Sequence, residues 1–99
     1  EKTISWNDSS VGIENAREEA GYRLFPNPVR DEFHLSFSQE DKPERVSIVS
    51  LSGQVVRHWN IQEEYEQTVT LSAVGLYEGL YFLRVDNGKK VCMLKFLKI

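Results

Sequence analysis

Apolar and polar residues alternate along most of this chain with the period of two that sends successive side chains to opposite faces of a β-strand. The clearest run is Asp31 to Phe37, with Phe33, Leu35 and Phe37 on one face and His34 and Ser36 on the other. Arg45 to Leu51 turns Val46 and Ile48 inward, and Gln67 to Leu71 does the same with Val69 and Leu71. Tyr22 to Phe25, Val55 to Ile61, Leu80 to Asp86 and Lys89 to Lys98 complete seven strands, with turn residues at intervals of roughly 8 to 12. Seven short strands without a convincing helix predict an all-β fold, a seven-stranded antiparallel immunoglobulin-like β-sandwich over residues 22–99.

Two strands break the alternation. Val55 and Trp59 share a face with Arg57, while Val56 and His58 occupy the other. In the closing pair, Tyr81, Leu83 and Val85 share a face, yet Leu80 and Phe82 opposite them are also apolar. Lys95 and Lys98 lie three apart, so a regular strand points them to opposite sides. Either a bulge resets the phase after Lys95, or both faces of this hairpin are covered, which makes it central to its sheet or brings it against a partner. Between the two runs stands Asn87-Gly88, the dipeptide best suited to the two positive φ angles of a type I′ turn.

Pro26-Asn27-Pro28 stops the first strand, because neither proline can donate to a ladder. Ser52-Gly53 turns the chain, Gln39 to Glu44 is a polar loop, Glu63-Glu64-Tyr65-Glu66 an acidic one, and Ser72 to Glu78 a connection leading to Gly79. Residues 1–21 are acidic and without sustained periodicity, and form a linker that is either flexible or an edge strand. Thr3 to Trp6 is the stretch suited to pairing at an edge, and Asn15 to Ala20 has the makings of one helical turn closed by Gly21.

Composition narrows the class. Ninety-nine residues, 40% hydrophobic and 27% charged, make one ordinary globular domain, and a chain of this size buries only about 60 to 65% of its unfolded surface. The net charge of -3 resides in residues 1–20, which carry five acids against two bases; the remainder holds ten of each and offers no basic face for nucleic acid. Cys92 is the sole cysteine, which forbids an intrachain disulfide and reads as a small buried hydrophobe. The chain begins at Glu1 with no initiator Met and no apolar leader, as it would after removal of a signal peptide or, the reading favoured here, as a piece of a longer protein.

Candidate chemistry is sparse. His34, His58, Cys92 and Met93 are the soft ligands, with no pair at the spacing of a structural zinc site, and the histidines read as solvent-facing strand residues. One cysteine and two scattered histidines do not constitute a nucleophile and its base, so the chain is read as no enzyme. Glu63, Glu64 and Glu66 resemble calcium ligands in charge only, since no Asp-x-Asp pattern accompanies them. Trp6, Trp59, Tyr65 and Tyr77 are the residues from which a sugar-stacking platform would be built, although strand aromatics are more often core or cross-strand partners. Catalytic, metal and cofactor residues are therefore none.

Four segments, in order, carry a family likeness: Leu24-Phe25-Pro26-Asn27-Pro28, Val46 to Val56, Gly79-Leu-Tyr-Phe-Leu-Arg-Val85, and Lys95-Phe-Leu-Lys-Ile99. Together they resemble the type A C-terminal sorting domain of proteins exported by the type IX secretion system of Gram-negative bacteria, and the likeness covers residues 22–99. Phe25 stands where the family usually has Tyr, and Ser52 where Asn or Asp is frequent.

The resemblance implies an export signal fused to an upstream cargo domain. Such cargo crosses the inner membrane, transits the periplasm, is led through an outer-membrane translocon, and reaches the cell surface or the extracellular space. A sortase-like cysteine protease usually removes the domain and attaches the cargo to anionic lipopolysaccharide. The cut is expected within Ser9 to Gly21. Recognition is expected at Pro26, Asn27, Pro28, Gly53, Gly79, Tyr81, Lys95, Lys98 and Ile99, with the two lysines and the terminal carboxylate forming a compact charged pattern. The purely structural alternative for these lysines is edge protection. A free strand edge leaves a homodimer open, and the competing function is a carbohydrate- or protein-binding module of a surface adhesin.

Overall fold

The computed structural model describes residues 17–19, 21–61 and 67–99. Its strands are β1 (Arg17–Glu19), β2 (Tyr22–Phe25), β3 (Glu32–Ser36), β4 (Arg45–Ser50), β5 (Val55–Asn60), β6 (Thr68–Ser72), β7 (Gly79–Asp86) and β8 (Val91–Lys98), with a short 3-10 turn at Gln39–Asp41. They form two four-stranded sheets, β1-β2-β3-β6 and β5-β4-β7-β8, in which every neighbouring pair is antiparallel. The predicted all-β architecture of two antiparallel sheets is thus present, and the seven expected strands correspond to β2 through β8.

The sheets pack face to face through the residues that the alternation points inward. Leu24, Phe33, Leu35 and Leu71 from the first sheet meet Val46, Ile48, Leu83, Leu94 and Phe96 from the second in one continuous core. Phe33 and Phe96 touch across it, ring centroids 5.3 Å apart. Strands this short gain little from backbone pairing alone, so the core supplies most of the stabilisation, at about 1.5–3 kcal/mol for each large side chain fully buried.

Three local expectations are corrected. Arg17–Glu19, within the stretch read as a helical turn, is a strand, with Arg17 opposite Leu24 and Glu19 opposite Tyr22; pairing along the free edge of β2 satisfies backbone groups that a single helical turn leaves open. The phase slip lies in β5 and not after Lys95. Ile48 is opposite Arg57 and Val49 opposite Val55, which leaves Val56 as the extra residue of a bulge. β8 alternates without interruption, Cys92, Leu94, Phe96 and Lys98 being buried and the residues between them exposed.

The third correction concerns the closing turn. Asp86 pairs with Val91, so four residues, Asn87 to Lys90, connect the strands in place of a two-residue type I′ turn. Gly88 has the positive φ (+89°) expected of it. Asn87 acts through its side chain instead. Its Oδ1 accepts the N–H groups of Lys89 and Lys90, each at 2.9 Å, folding the loop around the amide.

Side-chain bonds then tie the sheets together. Asn87 Nδ2 donates to the Tyr22 hydroxyl at 3.1 Å, and that hydroxyl donates to the Asp41 carbonyl at 2.6 Å. On the opposite side of the sandwich Arg57 donates through its two terminal nitrogens to the carbonyls of Ser72 (3.0 Å) and Val74 (2.9 Å), linking β5 to the end of β6. This explains the ambiguous facing of β5: its guanidinium is a clamp between sheets rather than a misplaced core residue.

Candidate functional site

The segments that carry the family likeness meet at one end of the sandwich. Register shows how: Ser50, at the end of β4, lies opposite Tyr81, which lies opposite Phe96, and Gly79 lies opposite Lys98. The Ser52-Gly53 turn, the start of β7 and the end of β8 therefore share that end. Gly53 has φ +92°, the left-handed region that a turn requires and that Cβ opposes, and its N–H bonds the Ser50 carbonyl at 2.9 Å.

The fourth segment reaches the same place by a route the alternation does not reveal. After β2 the chain passes through Pro26-Asn27-Pro28, with both X-Pro bonds cis, and runs along the outer edge of β8. Asn27 Oδ1 accepts the Leu97 N–H at 3.0 Å. Val29 then continues as a strand would, donating its N–H to the Leu97 carbonyl (2.7 Å) and accepting the Ile99 N–H (2.8 Å), in a parallel bridge opposite Lys98. Val29 itself is fully buried. Prolines on both sides of Asn27 remove two backbone donors, so the segment cannot form a regular ladder, and the Asn27 side chain takes the place of a backbone acceptor.

The remaining expected recognition residues divide by environment. Tyr81 is half-buried, stacks on Phe96 with centroids 5.8 Å apart, and donates its hydroxyl to the Tyr77 carbonyl at 2.8 Å. Lys95 projects from the solvent face of the second sheet. Lys98 projects from the inward face, is 8% exposed, and donates from Nζ to the Ile99 carbonyl oxygen at 3.0 Å. The two lysines are thus not neighbours in one charged pattern. Phe25, in the place of the family's Tyr, lies on the solvent face of the first sheet beneath the Arg23 guanidinium, 4.7 Å from the ring centroid, and beside His34 at 5.2 Å.

The residues considered for metal, nucleophilic or sugar chemistry are dispersed. His34 Nδ1 shares a hydrogen bond with Thr70 Oγ1 (2.9 Å) on the first sheet, His58 lies on the second, and Cys92 is buried between them. Among the described residues no three His, Cys, Asp or Glu side chains gather as metal ligands would. Trp59 packs against the core, whereas Tyr77 is 88% exposed on a loop. Trp6, Glu63, Glu64, Tyr65 and Glu66, and the Thr3 to Trp6 stretch, lie outside the described residues.

Tyr22 titrates above its ordinary range. Burial raises its phenol above 10.0, with the Asn87 hydrogen bond acting in the opposite direction and the Asp41 charge adding to the rise. Tyr22 sits at the far end of the sandwich from the latched segment and serves the fold.

No curated protein and no solved structure matches the chain. The sequence model of a protein family, described as Secretion system C-terminal sorting domain, matches residues 23–99. That span includes β3 to β8, β2 apart from Tyr22, and all four converging segments, and the family is one of sorting signals rather than of enzymes. The adhesin-module reading gains no support from it. The chain belongs to the Secretion system C-terminal sorting domain family, and is the signal that commits an attached parent protein to the type IX machinery and to export toward the cell surface or extracellular space.

Proposed function

We propose that the machinery reads this domain at the end where Asn27 and Val29 fasten the closing strand, and that the domain catalyses nothing itself. The observation that carries this reading is the hydrogen bond from Leu97 N–H to Asn27 Oδ1, which joins positions 70 residues apart. A linear peptide would present the Pro-Asn-Pro segment and the last strand separately. Only the folded domain presents them as one surface, with Gly53, Gly79 and Tyr81 around it. Recognition of such a surface reports that the domain has folded before it is exported.

In this reading the parent protein transits the periplasm, the domain docks on an outer-membrane translocon, and a sortase-like cysteine protease then removes it. The cut falls before Arg17, within residues 9–16, because Arg17–Glu19 are hydrogen-bonded to β2 and cannot extend into a protease cleft without leaving the sheet. Of the two lysines, Lys95 is the exposed cation and the one available to a partner. The partition of β2, β3 and β6 into one sheet and β5, β4, β7 and β8 into the other, with chain crossings between them, supports an immunoglobulin-like sandwich.

The experiment is a secreted reporter carrying the whole chain at its C-terminus in a type IX-competent host. Lys95→Ala is expected to reduce surface display while leaving thermal unfolding of the purified domain unchanged. Undiminished display of that variant would remove Lys95 from the proposed surface. N-terminal sequencing of the released domain locates the cut, and a new terminus at residue 18 or later contradicts the placement.

A further inference from the structure

The solvent face of the second sheet is not an ordinary polar face. Leu80 lies opposite Leu97, and Phe82 is flanked by Val49 and Lys95. In the next row Arg84 is flanked by Ser47 and Met93. Leu80, Met93 and Leu97 remain 41%, 41% and 37% exposed, and Val91 beside them 48%. The corresponding face of the first sheet carries Arg23, Glu32, His34, Ser36, Thr68 and Thr70 with Phe25 as its one large apolar side chain among the paired positions, which is close to the composition expected where a sheet meets water. Scattered apolar side chains on a surface need no explanation, but a contiguous cluster across two paired strands does.

Cations are set within this cluster rather than around it. Lys95 stands beside Phe82 and between Met93 and Leu97 along β8, Arg84 stands between Ser47 and Met93 and next to Phe82, and neither forms an ion pair among the described residues. Asp86, the acid on the same face of β7, already accepts the Gly88 N–H at 2.9 Å. Edge protection does not account for Lys95, because β8 is fastened along Leu97 to Ile99 by Asn27 and Val29 and has β1 lying alongside.

We infer that the outer face of β7 and β8 docks a protein surface that is apolar and carries carboxylates placed to meet Arg84 and Lys95. Two other occupants fit less well. A second copy facing the first would oppose cation to cation, and like charges brought together across an interface are unfavourable. An anionic bilayer would meet only two cations on this face, Arg84 and Lys95, in a domain whose residues 21–99 carry ten acids against ten bases, fewer than the basic cluster that holds a protein to anionic lipid. The inference rests on the sorting function, and names the face and the chemistry through which the exported domain would engage a protein of the machinery.

The test uses the full chain fused to the reporter, with Arg84→Glu plus Lys95→Glu, Met93→Ser plus Leu97→Ser, and Lys95→Arg, and Thr68→Glu on the opposite face as a control. Charge reversal and apolar loss are each expected to lower surface display by about tenfold, as removal of a partnered interfacial charge or anchor does, with Lys95→Arg and Thr68→Glu displayed as the parent. Thermal unfolding of each purified variant separates loss of docking from loss of fold, and Lys95→Glu alone, on an exposed side chain, serves where a double variant fails to fold. Normal display of the folded variants overturns the inference while the sorting function stands; failure of the unsubstituted chain to export the reporter overturns the sorting function first. Flotation with vesicles of about 30% anionic lipid, or a dimer by sedimentation, abolished by the charge reversal, overturns the choice of a protein partner.

Discussion

Asn87 holds the hydroxyl of Tyr22 at 3.1 Å across a sequence separation of 65 residues. The same Asn87 organises the β7–β8 loop through its Oδ1, and the same Tyr22 hydroxyl caps the Asp41 carbonyl. One amide and one phenol thereby fix the closing hairpin to the first sheet at the end remote from the latched segment. Replacing Tyr22 by Phe keeps the ring in the core but strips both Asp41 and Asn87 of their partner. The expected loss is about 1–3 kcal/mol, which for a domain of this size lowers Tm by roughly 4–8 °C for each kcal/mol. Calorimetry on the two proteins checks it, and an unchanged Tm would show the hydroxyl to be dispensable.

Alkaline pH should act through the same residue. Burial raises the folded pKa of Tyr22 above the 10.0 of an exposed tyrosine, so the unfolded chain releases this proton first. The contribution is fully present below about pH 10 and is lost as pH rises from there through the folded value. The difference in stability between the parent and Tyr22→Phe is therefore expected to be constant from about pH 6 to about 9 and to shrink above about 10. Urea unfolding across that range measures it, and a difference that widens with pH would reverse the assigned direction.

The latch makes a prediction about local motion. Asn27→Ala removes the acceptor of the Leu97 N–H, and Asn27→Asp keeps one. Amide hydrogen exchange at Leu97 is expected to accelerate in the alanine variant and to return toward the parental rate in the aspartate variant, with a stability loss of about 1 kcal/mol for alanine. Equal protection of Leu97 in all three proteins would show that the edge is held by Val29 alone.

Gly88 and Gly53 offer a controlled comparison. Both have a left-handed φ (+89° and +92°), but a Cβ at Gly88 would lie 2.6 Å from Glu44 Oε2, whereas one at Gly53 meets nothing within 4 Å. Each alanine substitution is expected to destabilise by about 1–2 kcal/mol through backbone strain, with a further loss at Gly88 that disappears when Glu44 is also replaced by Ala. Denaturant titrations of the four proteins isolate the steric part, and an equal effect at both glycines would show that Glu44 moves aside without cost.

Strand positions and inward faces are legible where a strand buries one side only, so that Phe33, Leu35, Val69 and Leu71 announce the core by period alone, whereas β4 buries Ser47 and Val49 as well as Val46 and Ile48. What escaped the pattern are interactions made by backbone or by a single polar side chain. The bulge at Val56 adjoins Arg57, whose guanidinium bonds the carbonyls of Ser72 and Val74, partners that no local window contains. The Asn87 loop looked like a two-residue turn because the competing attraction of Tyr22 is 65 residues away. At the candidate site the relevant motifs were visible one by one, and the spacing of Lys95 and Lys98 already implied opposite sides. Their convergence was not, since it depends on Asn27 supplying a carbonyl between two prolines to an amide at the other end of the chain.

The central claim, that the folded junction of the Pro-Asn-Pro segment with the closing strand is the export address, is tested most directly by surface display of a reporter fused to the Asn27→Ala and Asn27→Asp chains. Loss of one hydrogen bond of about 1–1.4 kcal/mol corresponds to roughly a five- to tenfold change in occupancy. The account predicts a fall of that order for Asn27→Ala with recovery for Asn27→Asp, whereas parental display of the alanine chain would contradict it.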